Sequence, residues 1–317
     1  MLPLISICIP VLNEEANILN LYKRLNELSV LMKDKCNFEF LFTDNHSEDN
    51  TWELLKNLAA KDPRVRAIRF SKNVGFQRSI LANYMHAKGD AVFQIDADLQ
   101  DPPELFEQFF ELWRQGYKVV YGIRRKRTEG FLLNTLRKFG YWFIDKVSEY
   151  PIPKGAGDFR LLDKKVVDAL KKYNATKPYL RGIIAGMGFN QIGITYDRSA
   201  RTQGESKFSL RQLISLGITG VFNHSVIPLR LATYAGLFLL ILSVFGSLYY
   251  VCLKLLKPDL PIGLASIHIL VLFGIGFQSL LLGVLGEYLL RIYILMRNEP
   301  IALAESTLNF CDTELEI

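Results

Sequence analysis

Asp96 and Asp98 straddle Ala97 just past the apolar run Val92-Phe93-Gln94-Ile95. Two carboxylates at i and i+2 project to the same side of an extended chain and offer a compact set of hard oxygen ligands for a divalent ion. Mg²⁺ keeps one or two protein carboxylates and fills its octahedron with waters and substrate phosphates, so a diphosphate is the expected ligand. An Asp-x-Asp pair also caps turns, and its surroundings must decide between the two roles. Three other apolar runs end in similarly polar stretches: Asn13-Glu14-Glu15, Asp44-Asn45-His46-Ser47-Glu48-Asp49 and Ser71-Lys72-Asn73-Val74-Gly75. Neither GxGxxG nor a GxxxxGK(S/T) loop is present, which excludes by motif a dinucleotide oxidoreductase and a P-loop ATPase.

These polar stretches are spaced by alternating strand and helix patterns. Apolar runs at Leu4 to Pro10, Phe38 to Phe42, Val65 to Phe70, Ala91 to Ile95 and Val119 to Tyr121 predict strands. Helical patterns over Glu14 to Lys33, Asp49 to Ala60 (capped by Ser47 or Asp49), Gln77 to Ala87 and Pro103 to Gln115 separate them. That alternation predicts an α/β domain with a mainly parallel, Rossmann-like sheet and helices on both faces. Ligands of such sheets sit at the carboxyl ends of the strands, where the polar stretches fall.

The chain has 317 residues, 22% charged, yet its mean hydropathy is +0.14. The excess apolarity is local: Leu231 to Leu253, 23 residues, and Leu260 to Gly286, 27 residues, contain no Asp, Glu, Lys or Arg. A 23-residue helix spans about 35 Å, enough to cross a hydrocarbon core of about 30 Å. The alternative is a buried pair of core helices. The short connector Lys254-Leu255-Leu256-Lys257-Pro258-Asp259 predicts an antiparallel hairpin with both chain ends in one compartment. Lys207, Arg211, Arg230, Arg291 and Arg297 on the flanks outweigh Lys254 and Lys257 in the connector, which puts the flanks and the N-terminal domain on the cytoplasmic side. The start of the chain has no signal-peptide pattern. Cys8, Cys36, Cys252 and Cys311 form no metal or CxxC spacing and suit a reducing compartment. His46, His86, His224 and His268 share no metal spacing either, and each is read as incidental.

The net charge of +6 conceals a gradient, because residues 298–317 hold five acidic and no basic residues, leaving +11 for the rest. Arg124, Arg125, Lys126, Arg127, Arg137 and Lys138 are concentrated within 15 residues and interleaved with aromatic and aliphatic side chains. Such a cluster could serve RNA, a membrane surface or an anionic substrate; beside a membrane hairpin the lipid reading is the economical one, and no nucleic acid is expected. Phe131 to Ile144 and Phe208 to Phe222 have the composition of interfacial helices.

Six ordered motifs carry a resemblance. Ile9-Pro10-Val11-Leu12-Asn13-Glu14-Glu15, Asn73-Val74-Gly75 and Asp96-Ala97-Asp98-Leu99-Gln100-Asp101-Pro102-Pro103-Glu104 look like the inverting glycosyltransferases of family 2. Gly155-Ala156-Gly157-Asp158-Phe159-Arg160-Leu161, Arg201-Thr202-Gln203-Gly204-Glu205-Ser206-Lys207 and Gly286-Glu287-Tyr288-Leu289-Leu290-Arg291-Ile292-Tyr293 narrow it. Together they resemble the polyprenyl-phosphate glycosyltransferases, similar to dolichyl-phosphate mannose synthase and the bactoprenol glucosyltransferases, from about Ile5 to Pro300.

The resemblance implies a GT-A domain over 1–205, an interfacial segment over 206–228, membrane helices over 229–257 and 260–290, and a cytoplasmic tail over 291–317. It implies transfer of a sugar from a nucleotide-sugar, UDP-glucose favoured, to a polyprenyl phosphate in the bilayer, at the inner membrane of a bacterium. Carried over by position, Pro10, Asn13, Glu14 and Asp44 line the nucleoside pocket, with Lys72 and Asn73 nearby. Asp96 and Asp98 hold Mg²⁺ or Mn²⁺ and the diphosphate, with Gln100 close to the ion. Arg124, Arg201 and Lys207 contact phosphates, and Asp158 occupies the place of an essential acid. The family's usual Asp-Asp-Gly-Ser is Asp44-Asn45-His46-Ser47 here, a departure that bears on the choice of base and sugar and not on the reaction. A homo-oligomer stays open.

In this chemistry the metal acts as a Lewis acid for the leaving diphosphate, and Arg201 and Lys207 add positive charge. The nucleophile is a phosphate oxygen with a second pKa of about 6, already ionised at neutral pH, so a general base is not required. Asp158 is therefore expected to position cations or sugar hydroxyls, with base catalysis and simple turn capping as the competing roles. Two further readings stand beside this one: a family 2 transferase with another lipid or glycan acceptor, and a catalytically inactive nucleotide-sugar sensor or assembly subunit. The absent Gln-x-x-Arg-Trp segment argues against a processive enzyme, and the intact Asp96 and Asp98 argue against an inactive one.

Overall fold

The computed structural model describes residues 2–125, 156–173, 178–197, 263–296 and 300–310, with scattered positions between 232 and 256. The chain forms two units: one of 1–145, 150–208 and 298–317, the other of 146–149 and 209–297.

The first unit is built on one sheet. Its strands are β1 (Leu4–Val11), β2 (Asn37–Asp44), β3 (Val65–Phe70), β4 (Ala91–Gln94), β5 (Val119–Arg124), β6 (Ala156–Asp163), β7 (Gln191–Tyr196) and β8 (Ala304–Leu308). They lie in the order β7-β5-β6-β4-β1-β2-β3-β8, with only β6 and β8 antiparallel to the rest. Near-continuous apolar runs such as Leu4-Ile5-Ser6-Ile7-Cys8-Ile9-Pro10-Val11 suit parallel strands covered on both faces. One face receives α1 (Glu15–Leu31), α2 (Thr51–Lys61) and α4 (Phe106–Arg114). The other receives α3 (Phe76–His86), α5 (Lys164–Lys171) and α6 (Leu180–Gly186). Helix α1 packs through Ile18, Leu21, Leu25 and Leu28, the one-sided stripe of an amphipathic helix. The expected strand and helix alternation is thus realised to within a few residues through β5. Helix α4 begins with a separate 3-10 turn, Pro103–Leu105, where Pro103 supplies a preset φ. At α2 neither proposed residue is the cap: Asn50 holds that position, although Asp49 Oδ1 accepts from Thr51 N–H at 3.0 Å. Ser47 instead accepts from Asn13 N–H at 2.9 Å.

A cluster of aromatic rings fixes the strands that carry the acidic motifs. Phe93 of β4 packs edge-on against Phe106 and Phe109 of α4 and Phe159 of β6, at centroid distances of 5.1, 5.5 and 5.2 Å. Each such pair adds about 0.5–1.5 kcal/mol beyond area burial, so residues adjoining Phe93 and Phe159 have little freedom to move.

Strand β8 lies in the stretch expected as a tail. It pairs antiparallel with β3 (Ala67 with Leu308, Arg69 with Ser306), and Asn309, at φ +57°, donates its side-chain N–H to Ala59 O and Val65 O at 2.9 and 2.8 Å.

In the second unit, α7 (Leu264–Met296) is one 33-residue helix, about 50 Å long. Its stretch Phe273–Leu290 is apolar and long enough to cross a membrane, and none of it is buried. Among the described residues it is the one helix that meets that length and apolarity. The expected first span at 229–257 lies largely outside the described residues, as do the basic aromatic stretch beyond Arg125, the segment Phe208 to Phe222, Arg201 and Lys207.

Candidate active site

The strand order reverses at β1 and β4: from β1 the chain winds outward through β2 and β3, then α3 carries it back to β4 on the other side of β1. A crevice opens at the carboxyl ends where two neighbouring strands send their connections opposite ways. Asn13 and Glu14 follow β1 there, and Asp96 and Asp98 follow β4.

The loop after β1 and the loop after β2 are laced together. Asn13 N–H donates to Ser47 Oγ (2.9 Å), Glu14 N–H to Thr51 Oγ1 (2.9 Å), and Glu48 N–H to Asn13 Oδ1 (2.8 Å). Asn13, at φ +54°, adopts the left-handed conformation that Asn tolerates better than most residues. Asp44 is fully buried, accepts from Ser47 N–H at 3.0 Å and faces Arg69 Nη1 at 3.7 Å. Burial pushes its carboxyl above the usual range, against the pull of Ser47 and Arg69. Asn45 ties in the loop after β3: its Nδ2 donates to Asn73 Oδ1 and its Oδ1 accepts from Val74 N–H, both at 2.8 Å. The turn then needs Gly75, at φ +90°. Pro10, Asn13, Glu14, Asp44 and Asn73 are therefore brought together, whereas Lys72 is exposed on the β3 loop.

The loop after β4 is a tight turn. Gln100 N–H donates to Asp98 Oδ1 at 3.1 Å, and Leu99 between them sits at φ +59°. A leucine in that region stores about 1–3 kcal/mol of strain, which structures tolerate mostly where function requires it. Asp96 is pushed up to about 7 by burial and by the negative charges of Asp101, Asp158 and Asp98, with Arg124 opposing.

Two Asp–Arg constellations flank Asp96. On one side Asp101, fully buried, accepts from Tyr196 O–H at 2.6 Å and pairs with Arg124 Nη2 at 3.6 Å; Arg124 Nε also donates to Tyr196 Oη at 3.4 Å. Arg124 lies over Gly157, where a Cβ would come within 3.0 Å of its Nη2. On the other side Asp158, 4% exposed, accepts from Arg181 Nε at 3.0 Å and Nη2 at 2.7 Å. Arg160 adds an ion pair at 3.6 Å and Gln77 a hydrogen bond at 3.3 Å. Burial alone would raise the Asp158 carboxyl, but Arg181, Arg160 and Gln77 outweigh it and hold it below the usual range.

Asp101, Tyr196, Gln77 and Arg181 also belong to the site, and nothing in the sequence assigns them a role. Asp101 lay within a quoted motif, whereas Arg181 and Tyr196 are isolated residues whose importance comes only from what β6 and β4 bring beside them. Arg160, in the same motif as Asp158, also pairs with it but is secondary to Arg181.

Among the described residues no three His, Cys, Asp or Glu side chains form a cluster able to hold a metal alone. The fit of a divalent ion rests on Asp96 and Asp98 at one turn and on the acidic groups Asp101, Asp158 and Asp98 gathered around the buried Asp96 carboxyl. A hard cation that draws its other ligands from phosphate and water suits such a site.

Residues 6–171 match the family model described as Glycosyl transferase family 2. The chain is 39% identical to "Uncharacterized glycosyltransferase YkcC" of Bacillus subtilis over 306 residues, 95% of this chain and 93% of the relative. It is 35% identical to the SfII prophage-derived bactoprenol glucosyl transferase of Shigella flexneri, covering 93% and 96%. Among solved structures, the mannosyltransferase PcManGT of Pyrobaculum calidifontis, in complex with GDP-Man and Mn²⁺, shares the fold at a TM-score of 0.50 and 16% identity, covering 94% and 89%.

Proposed function

The chain belongs to glycosyltransferase family 2, with the α/β GT-A fold of that family, and from that premise we propose that it transfers a sugar, with inversion, from a nucleotide-sugar to a polyprenyl phosphate at the cytoplasmic face of a membrane. UDP-glucose is the favoured donor, and Mg²⁺ or Mn²⁺ is the metal. The observation that carries the reading is the placement of Asp96 and Asp98 at the topological switch point, between Asp101–Tyr196–Arg124 and Asp158–Arg181.

Asp96 and Asp98 would hold the ion, which when bound supplies Lewis acidity to the leaving diphosphate. Pro10, Asn13, Glu14 and Asp44, with Asn73 and Lys72 beside them, receive the nucleoside, and Gln100 completes the turn that carries Asp98. Arg124 is held by Asp101 and Tyr196 rather than floating, so its charge is preorganised for a phosphate, the condition under which such a group is worth most. Arg201 and Lys207 would add positive charge for the same phosphates. Asp158 acts as an ionised anchor for Arg181: a carboxylate held below its usual pKa by a bidentate guanidinium is a poor proton acceptor. The acceptor phosphate, ionised in solution, needs positive charge more than a base.

The topology supports attachment to a membrane by a hairpin. Strands β1 to β7 precede α7 and β8 follows it, yet all share one hydrogen-bonded sheet. If α7 crosses the bilayer, the chain between β7 and β8 crosses an even number of times. The upstream charge-free window 231–253 has the length for the second crossing, which supports a two-helix hairpin and a cytoplasmic catalytic unit. The name of the Shigella flexneri relative supports a bactoprenol-type acceptor.

The test is to incubate membranes containing the protein with polyprenyl phosphate, Mg²⁺ and a panel of labelled nucleotide-sugars, then extract the lipid. Label in the lipid phase with one donor, abolished by Asp98→Ala, is expected. No label with any donor would overturn the proposal.

A further inference from the structure

By sequence, residues 298–317 are an acidic tail and His46 is an isolated histidine. The structure joins them. Glu305, on β8, lies 3.1 Å from Arg69 Nε and 3.4 Å from His46 Nδ1. Arg69, on β3, directs its other two nitrogens at the loop after β2: Nη2 donates to Ser47 O at 3.2 Å, and Nη1 faces the buried Asp44 carboxylate at 3.7 Å. Its guanidinium also lies 5.8 Å from the centre of the Trp52 ring. His46, at φ +64° where the family's usual residue is Gly, points Nδ1 at Phe70 O (3.0 Å).

Glu305 thus touches both side chains that brace the 44–47 loop at the edge of the sheet, and it is the member of the set that comes from beyond the membrane helix. We propose that Glu305 is a positioning residue for the donor site: by orienting Arg69 and His46 it sets the conformation of the Asp44–Ser47 loop, and through it the affinity for the nucleoside diphosphate moiety of the donor. The inference rests on the reading of that loop as part of the nucleoside pocket. A fork held by carboxylate, carbonyl and aromatic ring has one orientation; with the carboxylate gone, Arg69 keeps only one full-strength hydrogen bond and the loop loses its brace. Glu305 is half exposed, so the direct contribution of its pair with Arg69 to stability is small. An effect on nucleotide binding is therefore separable from an effect on folding.

The experiment is calorimetric titration of UDP and of GDP into the full-length protein in detergent with Mn²⁺, for the wild type, Glu305→Gln, Arg69→Gln and the double variant, with donor KM and kcat measured alongside. For Glu305→Gln the expected result is about 3- to 10-fold weaker binding of the preferred nucleotide and a matching rise in donor KM. Turnover at saturating donor should stay within twofold and the unfolding temperature should be nearly unchanged. In the Arg69→Gln background, adding Glu305→Gln should cost less than it does alone, because only the part carried through His46 remains. Unchanged affinity in Glu305→Gln, or additive losses in the double variant, would overturn the inference. Failure of the wild type to bind either nucleotide would instead overturn the reading on which it rests.

Discussion

Replacing Arg181 by Gln separates an anchoring Asp158 from a proton-accepting one. Arg181 gives Asp158 two charge-assisted hydrogen bonds, at 3.0 and 2.7 Å; without them the carboxylate keeps Arg160 at 3.6 Å and Gln77 at 3.3 Å. Breaking a buried ion pair by deleting one partner costs about 3–5 kcal/mol. Because the Arg181 side chain is 34% exposed, water substitutes for part of the lost charge, and about 2 kcal/mol is the expected loss at neutral pH. The pH dependence carries the sign. In the wild type the carboxyl is held below its ordinary value of 3.8, so its contribution is present above that pH and is lost only as pH falls through the lower folded value. In Arg181→Gln burial dominates, the carboxyl rises above its ordinary value, and the penalty shrinks as acid neutralises it. Thermal unfolding from about pH 4 to about pH 8 should therefore show the gap between variant and wild type narrowing toward the acid end. Transfer should fall about 100-fold, some 2.7 kcal/mol of barrier, and Arg181→Lys, which keeps the charge but not the fork, should recover part of it. A stability gap independent of pH, together with turnover within twofold of wild type, would refute the anchoring role.

The metal site, the Arg124 brace and the hairpin each give a further expectation. Asp98→Asn should weaken Mn²⁺ binding at least tenfold by calorimetry and abolish most transfer, since one of the two proposed carboxylate ligands becomes a neutral amide. With Asp96 raised from 3.8 to about 7, the metal-free protein should lose stability as pH rises between those values, Asp96→Asn should flatten that slope, and Mn²⁺ affinity should climb over the same window. Tyr196→Phe strips the buried Asp101 of its 2.6 Å donor and should cost about 1–3 kcal/mol in denaturant unfolding; its effect on turnover should vanish in an Arg124→Gln background, where no guanidinium remains to be held. A cysteine at Lys257, in the connector between the apolar windows, should react with a membrane-impermeant maleimide only from the side opposite the catalytic unit; labelling from the same side would rule out the hairpin.

Through β5, the elements were legible because each strand is a short, mostly apolar run and each helix an amphipathic one, and both signals are local. Beyond β5 the local signal weakens. Strands β6 and β7 carry Asp158, Arg160 and Tyr196 facing inward, and β8, Ala304-Glu305-Ser306-Thr307-Leu308, is a polar edge strand that reads as tail until β3 offers it a partner. Asp96, Asp98 and Asp158 could be named from the sequence because the motif chemistry is carried by adjacent residues. Their states could not, because Asp96 is raised by carboxylates from the same loop and from β6, and Asp158 is lowered by a guanidinium 23 positions away on α6.

The sequence by itself determined the family, the alternation that makes the sheet, the acidic pair at the end of β4 and the two charge-free windows, all of which depend on residue type and short spacing. Tertiary structure alone decided which charges meet: Arg181 with Asp158, Tyr196 and Arg124 with Asp101, and Glu305 with Arg69 and His46. Hydrogen bonds and charge pairs act over a few ångströms of space whatever the separation along the chain, so a sheet that returns a strand from beyond a 33-residue apolar helix can bring residue 305 to the loop at residue 46.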